Sequence, residues 1–225
     1  MPDAHLPPAH AWWILTHLGA SSLLLPALVL VLGGLWESGA RDAAKRYLLR
    51  LVIAVGITVV SKCLFFGWGI GIAALDFTGV SGHTLLATSI LPVLLRGIPW
   101  PALQARGGGV ALGWLLALVV GVSRLAVHAH SLSEVVAGWI LGAAVSWPTV
   151  RQLAPLALSH WASKLAPLVL LLALNTSTAT YLPTHDIEVR LALLVSGQGK
   201  PFSRHQLHAG PKPAAPTSSI SPIHP

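Results

Sequence analysis

The chain has 225 residues, 54% of them hydrophobic and only 9% charged. A soluble domain of this size carries about a quarter charged residues, and its helices keep a polar face, so an ordinary water-soluble fold is excluded. Lys and Arg number 14 against 7 Asp and Glu. In so apolar a chain that excess points to basic loops at one membrane face and to membrane lipids as partners, with no role for nucleic acid.

The single cysteine, Cys63, excludes an intrachain disulfide and a cysteine-based metal cluster. The opening stretch, MPDAHLPPAH, lacks the basic start of a cleaved signal peptide, so the first span is expected to stay as an anchor. Six apolar spans follow, at about residues 12–35, 47–67, 83–100, 109–127, 133–150 and 162–182. Each is long enough to cross roughly 30 Å of hydrocarbon as a helix. The expected fold is therefore all-α, a polytopic membrane bundle of about six helices over residues 1–185. Trp36, Trp68, Trp100, Trp147 and Trp161 fall near span ends, as an interfacial aromatic belt requires. Residues 186–225 read as a short polar segment and then, from about Ser196, a Pro- and Ser-rich disordered tail.

The basic residues sort by loop. Arg41, Lys45, Arg46 and Arg50 precede span two, Arg96 and Arg106 separate spans three and four, and Arg151 and Lys164 separate five and six. The positive-inside rule makes that side cytoplasmic. The chain is expected in the cell's inner (plasma) membrane, with the loops 68–82 and 123–134 facing the extracytoplasmic side. Arg190, Lys200, Arg204 and Lys212 run against this pattern, since six spans place the tail outside as well.

Between Ala43 and His185 the only carboxylates are Asp76 and Glu134. Ionisable groups at membrane depth cost several kcal/mol, which makes those present functional candidates. The stretch 79–84, GVSGHT, places Ser81, Gly82 and His83 at the start of span three. A helix start offers unpaired N–H groups and a favourable dipole to an anion, although Ser81 as a plain helix cap explains the same letters. The stretch 123–134, SRLAVHAHSLSE, gathers Ser123, Arg124, His128, His130 and Glu134. The Arg124 guanidinium fork matches a phosphate group, or snorkels to the interface. His130 and Glu134 stand four apart and share one helix face. A carboxylate on one ring nitrogen fixes the tautomer and leaves the other nitrogen a better nucleophile or base. Lys62, near the end of span two, either snorkels or meets an anion.

Together these residues resemble the type 2 phosphatidic acid phosphatase family, which includes lipid phosphate phosphatases, bacterial acid phosphatases and vanadium haloperoxidases. The family's blocks are K-x6-R-P, P-S-G-H and S-R-x5-H-x3-D. The third is matched by Ser123-Arg124, His130 and Glu134, with Glu in place of Asp. The second is Val80-Ser81-Gly82-His83, without the proline. In the first, Lys62 is followed by CLFFGW, and Gly69-Ile70 stands where Arg-Pro would be. The resemblance covers about residues 45–150. It implies that His130 attacks phosphorus to form a phosphohistidine, that Glu134 orients it, and that His83 is the general acid. Lys62, Ser81, Gly82, Ser123 and Arg124 would hold the phosphoryl oxygens, with no metal and no cofactor.

The expected activity is hydrolysis of a lipid-linked phosphate or pyrophosphate whose tail stays in the bilayer. The alternatives are phosphoryl transfer to another acceptor, a non-catalytic member that binds a lipid phosphate or acts as a scaffold, and a haem cytochrome with His83 and His130 as axial ligands. His128 has no assigned role, Asp76 reads as a loop residue, and the tail histidines His205 and His208 read as solvated.

Overall fold

The structure, a computed structural model, describes residues 9–98, 101, 107–152 and 184–209. Among them it is built of helices with no strand: α1 (Ala9–His17), α2 (Ser21–Glu37), α3 (Arg41–Trp68), α4 (Gly82–Gly97), α5 (Gly108–Ala126), α6 (Leu132–Gln152), α7 (Thr184–Ser196) and α8 (Arg204–His208). The all-α reading holds, and spans two to five coincide with α3, α4, α5 and α6. The expected sixth span, Trp100, Arg106, Trp161 and Lys164 lie outside the described residues.

The first span differs from expectation. Residues 18–20 break it into α1 and α2, closing three short turns in which Leu18, Gly19 and Ala20 donate to Leu15, Thr16 and His17. Crowding is the reason. A Cβ on Gly19 would stand 2.6 Å from Val120 and 3.2 Å from His83, so the chain bends where it meets α4 and α5.

Helix α4 occupies the centre. It approaches α5 and α6 closely because each offers glycines one turn apart. A Cβ on Gly113 of α5 would meet the Pro92 backbone at 2.4 Å, and one on Gly142 of α6 would meet Thr88 at 2.5 Å. Pro92 opens the α4 hydrogen-bond ladder in mid-helix, and the buried Tyr47 hydroxyl of α3 donates to the Ser89 carbonyl at 3.1 Å there. Around this axis Leu35, Leu51, Leu85 and Val145 join α2, α3, α4 and α6. Leu24, Ile90, Ala117 and Val120 join α2, α4 and α5.

The outward side of α3 carries exposed Leu49, Val52, Ile53, Ile57 and Val60. Water does not tolerate such a stripe, and a bilayer does. Residues 11–37, α3 and α5 are each long and apolar enough to cross a membrane. Trp36 and Trp147 are half exposed, each beneath an arginine (Arg41 at 5.3 Å, Arg151 at 5.5 Å) at the bundle end where α3 starts and α6 finishes. The protein is a membrane protein, with polar anchors at that end and His83, His128 and His130 at the other.

Part of the segment read from sequence as polar and then disordered lies within the described residues, and there it is helical. Up to residue 209 it forms α7 and α8, folded against α3 and the loop before α4. Ser203 caps α8 through a reciprocal bond pair with Gln206, and Phe202 donates its N–H to the Phe66 carbonyl at 2.9 Å. The Phe202 ring sits where a side chain on Gly69 would stand, at the left-handed end of α3. Docked apolar groups and satisfied backbone bonds offset the ordering entropy that composition alone counts against such a stretch.

Candidate active site

Lys62 ends α3, His83 opens α4, Arg124 ends α5 and His130 precedes α6, so alternating helix directions bring all four to one end of the bundle. They line a single cavity of about 400 Å³, together with residues of α7 and α8. Its floor is stitched by backbone. The Ser81 N–H donates to the Glu134 carbonyl at 3.1 Å, and the Val80 N–H to the Ser61 hydroxyl at 3.1 Å. Gly79 adopts φ +147° against Lys62, whose Cγ would lie 2.7 Å from a Cβ there. Only glycine fits that conformation and that gap.

The turn between α5 and α6 sets His130. His128 takes a left-handed conformation, φ +54°, and the Arg124 carbonyl receives the N–H groups of Ala129 (3.1 Å) and His130 (3.3 Å). The His130 imidazole is thereby tied to the residue whose guanidinium shares its cavity. His128 itself is exposed and does not line the cavity.

His130 Nδ1 lies 2.7 Å from Glu134 Oε2. The Glu134 carboxyl group is buried and surrounded by donors. Oε2 also receives the Ser131 N–H at 3.2 Å, and Oε1 receives the Thr78 N–H at 2.8 Å, the Thr78 hydroxyl at 2.5 Å and an Arg204 N–H at 2.8 Å. With Oε2 as an acceptor, Nδ1 carries the imidazole proton and donates it. Nε2 keeps its lone pair. Burial is the main influence on the His130 titration and holds it below the ordinary 6.5. The hydrogen bond and charge of Glu134 work against that, while Arg124 and Lys62 add to it.

Lys62 does meet an anion, but one from the protein: its Nζ pairs with Glu188 Oε2 of α7 at 2.7 Å, both side chains 14% exposed. Arg124 donates to the Thr16 hydroxyl of α1 at 2.9 Å. Ser81 and Ser123, expected to hold phosphoryl oxygens, turn their hydroxyls away from the cavity. The Ser81 hydroxyl pairs with Thr84 Oγ1 at 3.0 Å, and the Ser123 hydroxyl donates to the Val120 carbonyl of its own helix at 2.6 Å. Both are fully buried, and neither lines the cavity. Helix interiors favour this bond to the preceding turn, which sequence spacing does not reveal. Gly82 lines an adjoining, largely apolar cavity of about 280 Å³ that shares Lys62, His83 and Glu188 with the first.

Sequence reasoning missed Arg204 and Glu188. Arg204 of α8 bonds Glu134, the Thr78 hydroxyl at 3.2 Å, and both the carbonyl and the carboxylate of Asp76. Asp76, in a loop as expected, also takes His208 Nε2 at 2.8 Å, so that histidine is paired rather than the solvated tail group expected. The His208 hydrogen bond first, and then those of Arg204, hold the Asp76 carboxyl below its usual range. One local signal was available, the S-x-x-Q pattern Ser203–Gln206 that announces a helix start. Among the described residues, no group of three or more His, Cys, Asp or Glu has metal-ligand spacing.

Comparison with known proteins gives two findings. The PAP2 superfamily matches residues 43–157, just over half of the chain. A Klebsiella pneumoniae protein described as an uncharacterized 22.5 kDa protein in the cps region is 36% identical over 206 residues, covering 88% of this chain and 97% of that protein. No solved structure matches.

Proposed function

The chain belongs to the PAP2 superfamily, which supports a phosphatase-type function in general, and from that premise we propose that it hydrolyses a lipid-linked phosphate or pyrophosphate through a phosphohistidine, without a metal. The observation that carries this is the buried Glu134 carboxylate on His130 Nδ1, at the edge of a cavity shared with Lys62, His83 and Arg124. Nε2 attacks phosphorus. The N–P bond forms as the P–O bond to the leaving alcohol or phosphate breaks, and His83 gives its proton to the departing oxygen. The neutral His83 then takes a proton from water, which attacks the phosphohistidine and releases inorganic phosphate and His130. Arg124 and Lys62 stabilise the charge gathering on the phosphoryl oxygens. An ammonium has three donors, so the bond from Lys62 to Glu188 leaves two for substrate.

The apolar cavity beside the site supports a substrate with a lipid tail. Arg41, Lys45, Arg46, Arg50, Arg96 and Arg151 lie on helix ends away from the cavity. By the positive-inside rule they support an extracytoplasmic site in the plasma membrane. A second reading, a member that binds lipid phosphates without turnover, draws on the Lys62–Glu188 pair, which neutralises one phosphate-facing cation. A panel of phosphorylated lipids assayed in detergent for inorganic phosphate separates the two, with His130→Ala as the blank. Release above that blank supports hydrolysis; none from any lipid supports the binder.

A further inference from the structure

We propose that Arg204, delivered by the C-terminal helix α8, is a positioning residue that fixes the Glu134 carboxylate on His130; this rests on the phosphatase reading above. Glu134 stands where the family motif has Asp, and its side chain has one more rotatable bond. A carboxylate held only at Oε2 could swing about that bond and loosen the imidazole. Arg204 and Thr78 take the far oxygen, Oε1, so the carboxylate plane is held at both ends. The Glu134 side chain is 1% exposed, which sets this ion pair apart from a solvated surface contact.

Arg204 is itself held from behind. Asp76 accepts from it with its carbonyl and its carboxylate, and also takes His208 one turn further along α8. Leu207 packs near Gly71 and Phe202 covers Gly69, so α8 is clamped on the loop that carries Thr78. A guanidinium with several donors in one plane suits this bridge between two carboxylates. The chain has no arginine in the block after Lys62, and Arg204 restores a third cation to the cavity wall beside Lys62 and Arg124.

The test compares full-length wild type with Arg204→Gln and Arg204→Lys in detergent. The first readout is the titration midpoint of the His130 imidazole by NMR with labelled histidine. His130 is faced by Glu134 of α6, Arg124 of α5, Lys62 of α3 and His83 of α4, and Lys62 is paired with Glu188 of α7. Arg204, flanked by Asp76 and His208, reaches His130 through Glu134. Arg204→Gln removes the cation that offsets Glu134, so the midpoint rises; Arg204→Lys keeps it near wild type. The second readout is phosphate release. For Arg204→Gln, kcat falls roughly 10–100-fold, the range found when an outer partner of a metal-bound imidazole is removed. KM stays within about twofold, and Arg204→Lys recovers much of the loss.

An unmoved midpoint overturns the proposal. So does a rise in KM at constant kcat, which would make Arg204 a direct oxyanion ligand, or a lysine variant as impaired as the glutamine one, which would make it a docking residue only. Absence of phosphate release by wild type would instead defeat the phosphatase reading, and the His130 midpoints would still decide whether Arg204 acts on the pair.

Discussion

Replacing Glu134 by Gln changes one atom and removes one charge, yet no placement of the amide satisfies its neighbours. All five contacts on the carboxylate come from donors: His130 Nδ1 and the Ser131 N–H on one oxygen, the Thr78 N–H, the Thr78 hydroxyl and Arg204 on the other. If the amide nitrogen faces Thr78 and Arg204, it opposes a backbone N–H that cannot turn away. If it faces His130, the imidazole must exchange tautomers, which puts the proton on Nε2 and blocks the lone pair needed for attack. Either way a buried donor is left without an acceptor, at a cost of about 1–3 kcal/mol. In a serine triad the corresponding carboxylate-to-amide change, with geometry kept, lowers kcat by about 10⁴. A lost contact of about 3 kcal/mol alone accounts for roughly 10². The expected fall in kcat is therefore about 10²–10⁴-fold, with KM changed far less and the detergent-solubilised protein still eluting as a folded species. Steady-state phosphate release by purified wild type and Glu134→Gln, over the His130→Ala blank, measures it. A Glu134→Gln enzyme with kcat within about threefold of wild type would falsify the role of the carboxylate.

Three other outcomes are expected. The nucleophile must be neutral, and burial holds His130 below 6.5, so the acid-side loss of kcat/KM that follows protonation of His130 lies below pH 6.5, while the need for a protonated His83 lowers kcat/KM toward high pH. The acid limb keeps its position for two substrates of different phosphate acidity; an acid limb that follows the substrate, or lies above 6.5, contradicts the assignment to His130. Phosphate release is unaffected by EDTA, because Lys62 and Arg124 carry the phosphoryl charge in the proposed mechanism; inhibition reversed by added metal would count against it. Gly142→Ala places a methyl 2.5 Å from the Thr88 side chain and 2.8 Å from the Leu85 carbonyl. It lowers stability by about 1–3 kcal/mol, read as a fall in melting temperature in detergent; an unchanged Tm would mean that α4 and α6 separate freely.

Much of the bundle was legible because apolar length is a local property. A run such as residues 47–67 needs no partner to declare that it belongs in hydrocarbon, and α3 formed there. The break at 18–20 was not legible, since the groups that crowd Gly19 come from α4 and α5. The site divides the same way. His130 and Glu134, four residues apart, do meet as their spacing predicted, but through the turn that sets His130 ahead of α6 rather than along one helix face. Ser81 and Ser123 sit in matching motifs, but a hydroxyl's direction is a rotamer choice settled by nearby partners, Thr84 in the following turn for Ser81 and the Val120 carbonyl in the preceding turn for Ser123.

By itself the sequence determined an all-α membrane protein, the helix ends at which its few ionisable residues gather, and the pairing of one histidine with one carboxylate. Tertiary structure alone decided that Lys62 meets Glu188, 126 residues away, and that Glu134 meets Arg204, 70 residues away, on a helix that composition had assigned to a disordered tail. Hydropathy and helical spacing act over a turn or a span, and residues carry them wherever they stand. A charge finds its partner only after the chain has closed the loops between them, and nothing in the letters on either side records where that closure falls.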